Sequence, residues 1–153
     1  MLLFPKPKVI KNIKAFYQNI IQEPAPSNFI NKLLGQKFTR IDRYGKYLIL
    51  KLQTYSIISH LRMEGKYFMK DSPFTPEKHD HIQFQMTDGT NLIYNDVRKF
   101  GTMHLVNIGE EYDHPSIAKL GPEVNNEKTF TPEYLEQICK KKEILIKDLL
   151  LDQ

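Results

Sequence analysis

Three short polar clusters carry the residue types able to do chemistry in this chain: His60-Leu61-Arg62-Met63-Glu64-Gly65-Lys66-Tyr67, Lys78-His79-Asp80-His81 and Asp96-Val97-Arg98-Lys99-Phe100-Gly101. Each lies beside or between runs of alternating apolar residues. That pattern places Arg, Lys, His, Met and Phe at loop tips and strand ends of a β scaffold, where functional side chains concentrate. Cations and imidazoles in such positions suit a polyanion, and a Met or Phe beside them suits insertion between stacked bases.

Taken singly, each residue also has an ordinary explanation. Lys46 follows Arg40, Arg43, Tyr44 and Gly45 and is expected on a strand; a lysine next to a glycine, where backbone and ligand approach closely, fits a phosphate contact, and a solvent-facing strand lysine is the alternative. His60 follows the apolar Ile57-Ile58-Ser59 and belongs near the edge of a core, as a hydrogen-bonded structural imidazole or as a ligand. Met63 stands between Arg62 and Glu64, a polar setting that a core methionine would not choose. Arg98 and Phe100, two apart on an extended tip, project together: a guanidinium able to hydrogen-bond a base and a ring able to wedge a stack. The plainer reading puts Phe100 in the core and Arg98 on the surface. His79 and His81 share one face if extended and admit a metal, but a third ligand would have to come across strands from His60 or His104.

The elements positioning these clusters can be read from periodicity. Ile13, Phe16, Tyr17, Ile20 and Ile21 predict helix over 11–34 up to the break at Pro24-Ala25-Pro26, with a second short helix N-capped by Ser27 and closed by Gly35. From Lys37 the period changes to two, predicting strands at Phe38–Ile41, Tyr47–Leu52, Tyr55–Ile58, Ile82–Met86, Leu92–Tyr94 and Met103–Leu105. Consecutive strands imply antiparallel pairing. Asp88-Gly89 signals a type I′ hairpin, which brings the Lys78 and Asp96 clusters to the same open end. After the polar loop Glu110–Pro115, Thr131 as N-cap and Pro132 at the first helical position predict a helix over 131–142, followed by an apolar segment from Ile144 to Leu151.

Composition sets outer bounds. With 153 residues, 41% hydrophobic and 26% charged, the chain fits one domain with a core, and its net charge of +4 leans toward nucleic acid or another anionic surface. One cysteine, Cys139, excludes an internal disulfide and any multi-cysteine zinc site, and no run of 18 apolar residues or signal-peptide pattern occurs. A soluble, cytoplasmic protein is expected.

Order and spacing sharpen the reading. Tyr44-Gly45-Lys46-Tyr47-Leu48, the His60, Lys78 and Asp96 clusters, Leu120-Gly121-Pro122-Glu123 and Cys139-Lys140-Lys141-Lys142 together resemble the N-terminal domain of bacterial formamidopyrimidine-DNA glycosylase, from about Lys8 to Gln153. The Lys78–His81 pattern leans to that branch of the superfamily rather than to endonuclease VIII. The resemblance implies an α+β fold, an antiparallel β-sandwich flanked by helices, in a base-excision repair glycosylase and AP lyase acting on oxidised purines. It implies that Lys46, His60, His79 and Lys99 contact DNA phosphates, with His81 structural. It also implies that Met63, Arg98 and Phe100 fill the void left by an everted base, Arg98 pairing with the orphaned partner and Phe100 intercalating. The expected partner is double-stranded DNA holding an oxidised purine or an abasic site, bound by a monomer.

Two departures qualify this. The family begins with a Pro-Glu pair whose proline amine is the nucleophile, whereas Met1-Leu2-Leu3-Phe4-Pro5 resembles the start of the second strand. Pro5 and Pro7 are internal, so their nitrogens are amides and cannot attack, and Lys46 lacks the acidic partner a lyase amine needs. The chain also ends at Leu149-Leu150-Leu151-Asp152-Gln153, where the family enters a helix-two-turn-helix and a zinc finger. The expectation is therefore a fragment: residues 1–130 as the sandwich lacking its first strand and helix, 131–153 as the helix leading onward, no catalytic residue, no metal and no cofactor of its own. The rival readings are a non-catalytic nucleic-acid-binding module and a small His-liganded metal-binding β-barrel enzyme centred on His79 and His81.

Overall fold

The computed structural model describes residues 8–151. The reading of Met1–Pro5 as a strand start lies outside them. Among the described residues, ten strands form two sheets: β1 (Lys8–Ala15), β2 (Ile21–Glu23), β3 (Lys37–Phe38), β4 (Arg40–Tyr44), β5 (Tyr47–Lys51), β6 (Tyr55–His60), β7 (Lys66–Asp71), β8 (Asp80–Met86), β9 (Thr90–Asn95) and β10 (Thr102–Asn107). Four α-helices accompany them, α1 (Pro26–Leu33), α2 (Pro115–Ala118), α3 (Pro132–Lys141) and α4 (Ile146–Leu151). One sheet runs β3-β1-β8-β9-β7 and the other β2-β10-β6-β5-β4. All pairings are antiparallel except β2 with β10. This is the expected α+β sandwich.

Alternation along the strands makes the two faces. Ile10, Ile13, Ile82, Phe84, Leu92 and Tyr94 from the first sheet meet Leu50, Leu52, Ile57 and Met103 from the second in one buried core. The intervening residues Tyr47, Ile49 and Ile58 point to the opposite side of the second sheet, where Ile117 of α2 covers them. Their neighbours on that outer side include His60, the T-shaped ring partner of Tyr47.

Several expectations from periodicity are corrected. The segment 11–34 is not a helix: β1, a single 3₁₀ turn at Gln18–Ile20 and β2 precede α1. The misreading has a physical reason: Ile13, Ile20 and Ile21 do share the core, but they reach it from three consecutive elements, β1, the 3₁₀ turn and β2, while Phe16 is exposed. Ser27 lies inside α1; Pro26 takes the first helical position after Ala25, while Gly35 follows the helix with φ 75° as expected. The hairpin between β8 and β9 exists, but Gly89 alone takes positive φ and the loop is Thr87-Asp88-Gly89, so the turn is not type I′. An edge strand, β7, was not anticipated: Lys66, Lys70 and Asp71 obscure its alternation.

Candidate nucleic-acid interface

Two strand-to-strand tips lie together at one end of the sandwich. The first runs from His60 at the end of β6 to Lys66 at the start of β7, the second from Asn95 at the end of β9 to Thr102 at the start of β10. Arg98 joins them: its Nη1 lies 2.7 Å from Met63 Sδ, and its guanidinium carbon lies 6.0 Å from the Phe100 ring centroid. Met63 is 74% exposed and Phe100 59%. Neither belongs to the core, so the plainer reading of both is ruled out.

The Arg98–Phe100 tip is not extended, which corrects the reason given for their proximity. Lys99 has φ 59° and Arg62 has φ 55°, the two non-glycine residues at positive φ among those described. Each such conformation costs on the order of 1–3 kcal/mol and persists where the surroundings over-determine it. Arg62 is held by its N–H bond to His60 Nδ1, and the surroundings of Lys99 are the Asp96 carboxylate and Tyr94. Asp96 Oδ1 accepts the Arg98 N–H at 3.0 Å, and Oδ2 accepts the Gly101 N–H at 2.8 Å and the Tyr94 hydroxyl at 3.2 Å. Burial pushes this carboxyl up, but the Gly101, Arg98, Tyr94 and Lys99 donors outweigh it and hold its pKa below the usual range. Ionised Asp96 thus winds the second tip around itself.

Tyr94 reaches both tips. A Cβ at Gly65 would lie 2.5 Å from its hydroxyl, and one at Gly101 only 1.6 Å away. The tips can close on this phenol because both positions are glycine. Sequence reasoning missed Tyr94 and Asp96 as positioning residues; the signal was a glycine within two of the polar clusters, Gly65 and Gly101.

The predicted phosphate ligands lie on these tips or beside them. Lys46 is exposed and sits in the turn between β4 and β5, not on a strand, with Gly45 at φ 54° making the two-residue reversal. Glu123 secures that turn by accepting the Gly45 N–H and holding Arg43 through both oxygens, at 2.8 and 3.3 Å for the guanidinium contacts. The Gly45 contact above all, with Arg43, keeps the Glu123 carboxyl below its ordinary range. No ion pair engages Lys46 among the described residues. Lys99 extends over Tyr17, 4.7 Å from its centroid.

His60 is buried, its Nδ1 accepting the Arg62 N–H at 2.8 Å. That bond assigns the ring proton to Nε2, a donor with no partner among the described residues. Burial first, then the charges of Arg62 and Lys46, hold the His60 pKa down to about 4. His60 is therefore a neutral N–H donor at neutral pH. His79 is half-buried with an unpartnered Nδ1, and its carbonyl accepts the Asp96 N–H at 3.0 Å, tying the Lys78 cluster to the second tip. His81 is a structural residue, buried with Nε2 2.7 Å from the Asp96 carbonyl and its ring against Tyr17. This use of His81 overturns the His79/His81 metal reading: among the described residues, no third ligand gathers around that pair.

The site is thus a set of exposed cations beside an Arg98-linked Met63 and Phe100 at one end of a β-sandwich. Residues 5–103 match the formamidopyrimidine-DNA glycosylase N-terminal domain family. The chain belongs to that family. It is 46% identical over 149 residues to formamidopyrimidine-DNA glycosylase of Bacillus subtilis, covering 97% of this chain and 54% of the relative. It is 48% identical over 147 residues to the Ligilactobacillus salivarius enzyme, covering 95% and 52%. Among solved structures, Lactococcus lactis formamidopyrimidine-DNA glycosylase bound to DNA containing an abasic site superposes with TM-score 0.85 at 34% identity, covering 94% of this chain and 55% of that one. The Lactococcus lactis protein in complex with Fapy-dG-containing DNA gives TM-score 0.86, covering 94% and 54%. The chain spans about half the length of the curated relatives it matches.

Proposed function

We propose that this chain is the damage-reading half of a base-excision repair DNA glycosylase and AP lyase acting on oxidised purines, and that it binds double-stranded DNA bearing such a lesion or an abasic site. The observation that carries this is the Met63–Arg98–Phe100 assembly, exposed and held by Arg98 between two tips that share Tyr94. Phosphate contacts from Lys46, Lys99, His79 and the neutral Nε2–H of His60 position the duplex; Met63 and Phe100 enter the stack where a nucleotide has left it. Arg98 then offers its guanidinium to the base that lost its partner. No group in the described residues is assigned to bond cleavage.

In this reading the described residues up to 130 form the sandwich and those from 131 onward a helical stretch, and the protein works as a cytoplasmic monomer. Thr131 caps α3 by accepting the Tyr134 N–H at 3.2 Å, and α3 and α4 line a cavity of about 490 Å³ together with Leu120, Gly121 and Glu123. No described helix is long and apolar enough to cross a membrane.

The test is fluorescence anisotropy on matched duplexes, one intact and one with an abasic analogue. Tighter binding to the abasic duplex, with the difference narrowed by Met63→Ala, is expected. Equal affinity for both duplexes, unaltered by Met63→Ala, would leave only a general nucleic-acid-binding module.

A further inference from the structure

We propose that Glu23, His104 and His114 form a binding site for a divalent transition-metal ion of the zinc type, on the outer face of the second sheet. Three separate pieces of chain converge there. Glu23 ends β2, whose parallel pairing with β10 sets it opposite His104. His104 alternates with Met103, which is fully in the core, so its ring faces outward, the same way as Ile58 across the β6 pairing. His114 precedes α2, and α2 is pinned to this face by Ile117 packed on Tyr47, Ile49 and Ile58. The imidazole centroids of His104 and His114 stand 4.7 Å apart, and one ligand atom from each of the three residues lies within 4.8 Å of the others.

The donor set selects the metal class. Two imidazole nitrogens and one carboxylate oxygen suit zinc and its neighbours, whereas magnesium and calcium take oxygen shells. Three protein ligands leave a position for water, as in open zinc sites. Ligand bonds of about 2.0–2.1 Å put tetrahedral ligand atoms about 3.4 Å apart, so the group must contract by roughly 1.4 Å at its widest. Glu23 is exposed and free to rotate inward. His104 Nδ1 is buried with no hydrogen-bond partner among the described residues, a nitrogen that gains an interaction on coordination. His114 gives one up: its Nδ1 accepts the Ser116 N–H at 3.2 Å, and an imidazole that ligates through one nitrogen needs its proton on the other. The bound ion would clamp the 110–118 segment to β2 and β10, directly after the Arg98–Phe100 tip and on the face that carries His60.

Titrating the chelator-treated 153-residue protein with Zn²⁺ by calorimetry, and counting retained metal by mass spectrometry, tests this. One equivalent is expected, with affinity reduced about tenfold or more in Glu23→Gln and in His114→Gln. Both positions lie outside the core, so these variants fold, as circular dichroism will verify; His104→Gln is the supporting third. Co²⁺ substitution should give visible absorption without a thiolate charge-transfer band. Absence of stoichiometric zinc, binding indifferent to Glu23→Gln and His114→Gln, or binding lost in Cys139→Ser would each overturn the site.

Discussion

The hydroxyl of Tyr94 occupies the place a side chain at Gly101 would need: a Cβ built there falls 1.6 Å from the oxygen and 2.7 Å from the ring carbon bearing it. Tyr94 is fully buried and hydrogen-bonded to Asp96, whose charge, added to burial, raises the phenol pKa well above its ordinary value and keeps it a donor. It has nowhere to retreat. The second tip therefore takes its shape from a phenol anchored between the sheets.

Gly101→Ala should accordingly destabilise the domain by about 1–3 kcal/mol through overpacking, and should also weaken abasic discrimination by displacing Arg98 and Phe100. Urea denaturation and anisotropy on the paired duplexes measure the two effects. A change under about 0.5 kcal/mol, the range of an indifferent surface substitution, would show that the tip has room that the structure denies.

His60 makes stability depend on pH in a definite direction. Its pKa is about 4 in the folded protein against 6.5 for the free side chain, so the unfolded chain takes up the proton first as pH falls. The contribution of neutral His60 is complete above pH 6.5 and is lost progressively down to about pH 4. The urea midpoint of the parent protein should drop more over that interval than that of His60→Gln. Parallel midpoint curves for the two proteins would refute a neutral, buried imidazole.

The same neutrality separates His60 from the lysines in salt dependence. Each lysine that neutralises a phosphate contributes about −0.9 to the slope of log affinity against log salt on duplex DNA. Lys46→Ala and Lys99→Ala should each flatten the slope by about that amount, whereas His60→Gln should lower affinity and leave the slope unaltered. A slope that shifts with His60→Gln but not with Lys46→Ala would reverse the assignment of charges at the interface.

The strands and the residues at their tips were legible in the sequence because they rest on local signals, whereas the sandwich came from the family resemblance. Alternation of apolar residues marks β5, β6, β8, β9 and β10, and the polar clusters interrupt it where the chain turns. Legibility failed where a long-range pairing decides. The pairing of β1 with β8 is invisible locally, so Ile13, Ile20 and Ile21, which reach one core from three different elements, read as helical in isolation. Lys46 was placed on a strand because Gly45 carries no sign of its positive φ. The roles of Tyr94 and Asp96 depend on two loops meeting at one phenol, and the group of Glu23, His104 and His114 draws on segments separated by most of the chain. No spacing rule reaches across such distances.

Met63 and Arg98 touch, so their substitutions should not act independently. Arg98→Ala removes both the guanidinium offered to an orphaned base and the 2.7 Å contact that steadies Met63 Sδ. Met63→Ala removes the apolar wedge and frees Arg98 from that contact. In a double-mutant cycle on the abasic-versus-intact affinity ratio, the two should couple by about 0.5–3 kcal/mol, the range for residues in contact, while overall binding to intact duplex falls less than the ratio does. Lys46→Ala paired with Met63→Ala serves as the control and should be additive, because one acts on phosphate and the other on the stack. Strict additivity of Met63→Ala with Arg98→Ala, or equal loss on intact and abasic duplexes, would mean that the two residues bind DNA separately and that no shared void-filling unit exists.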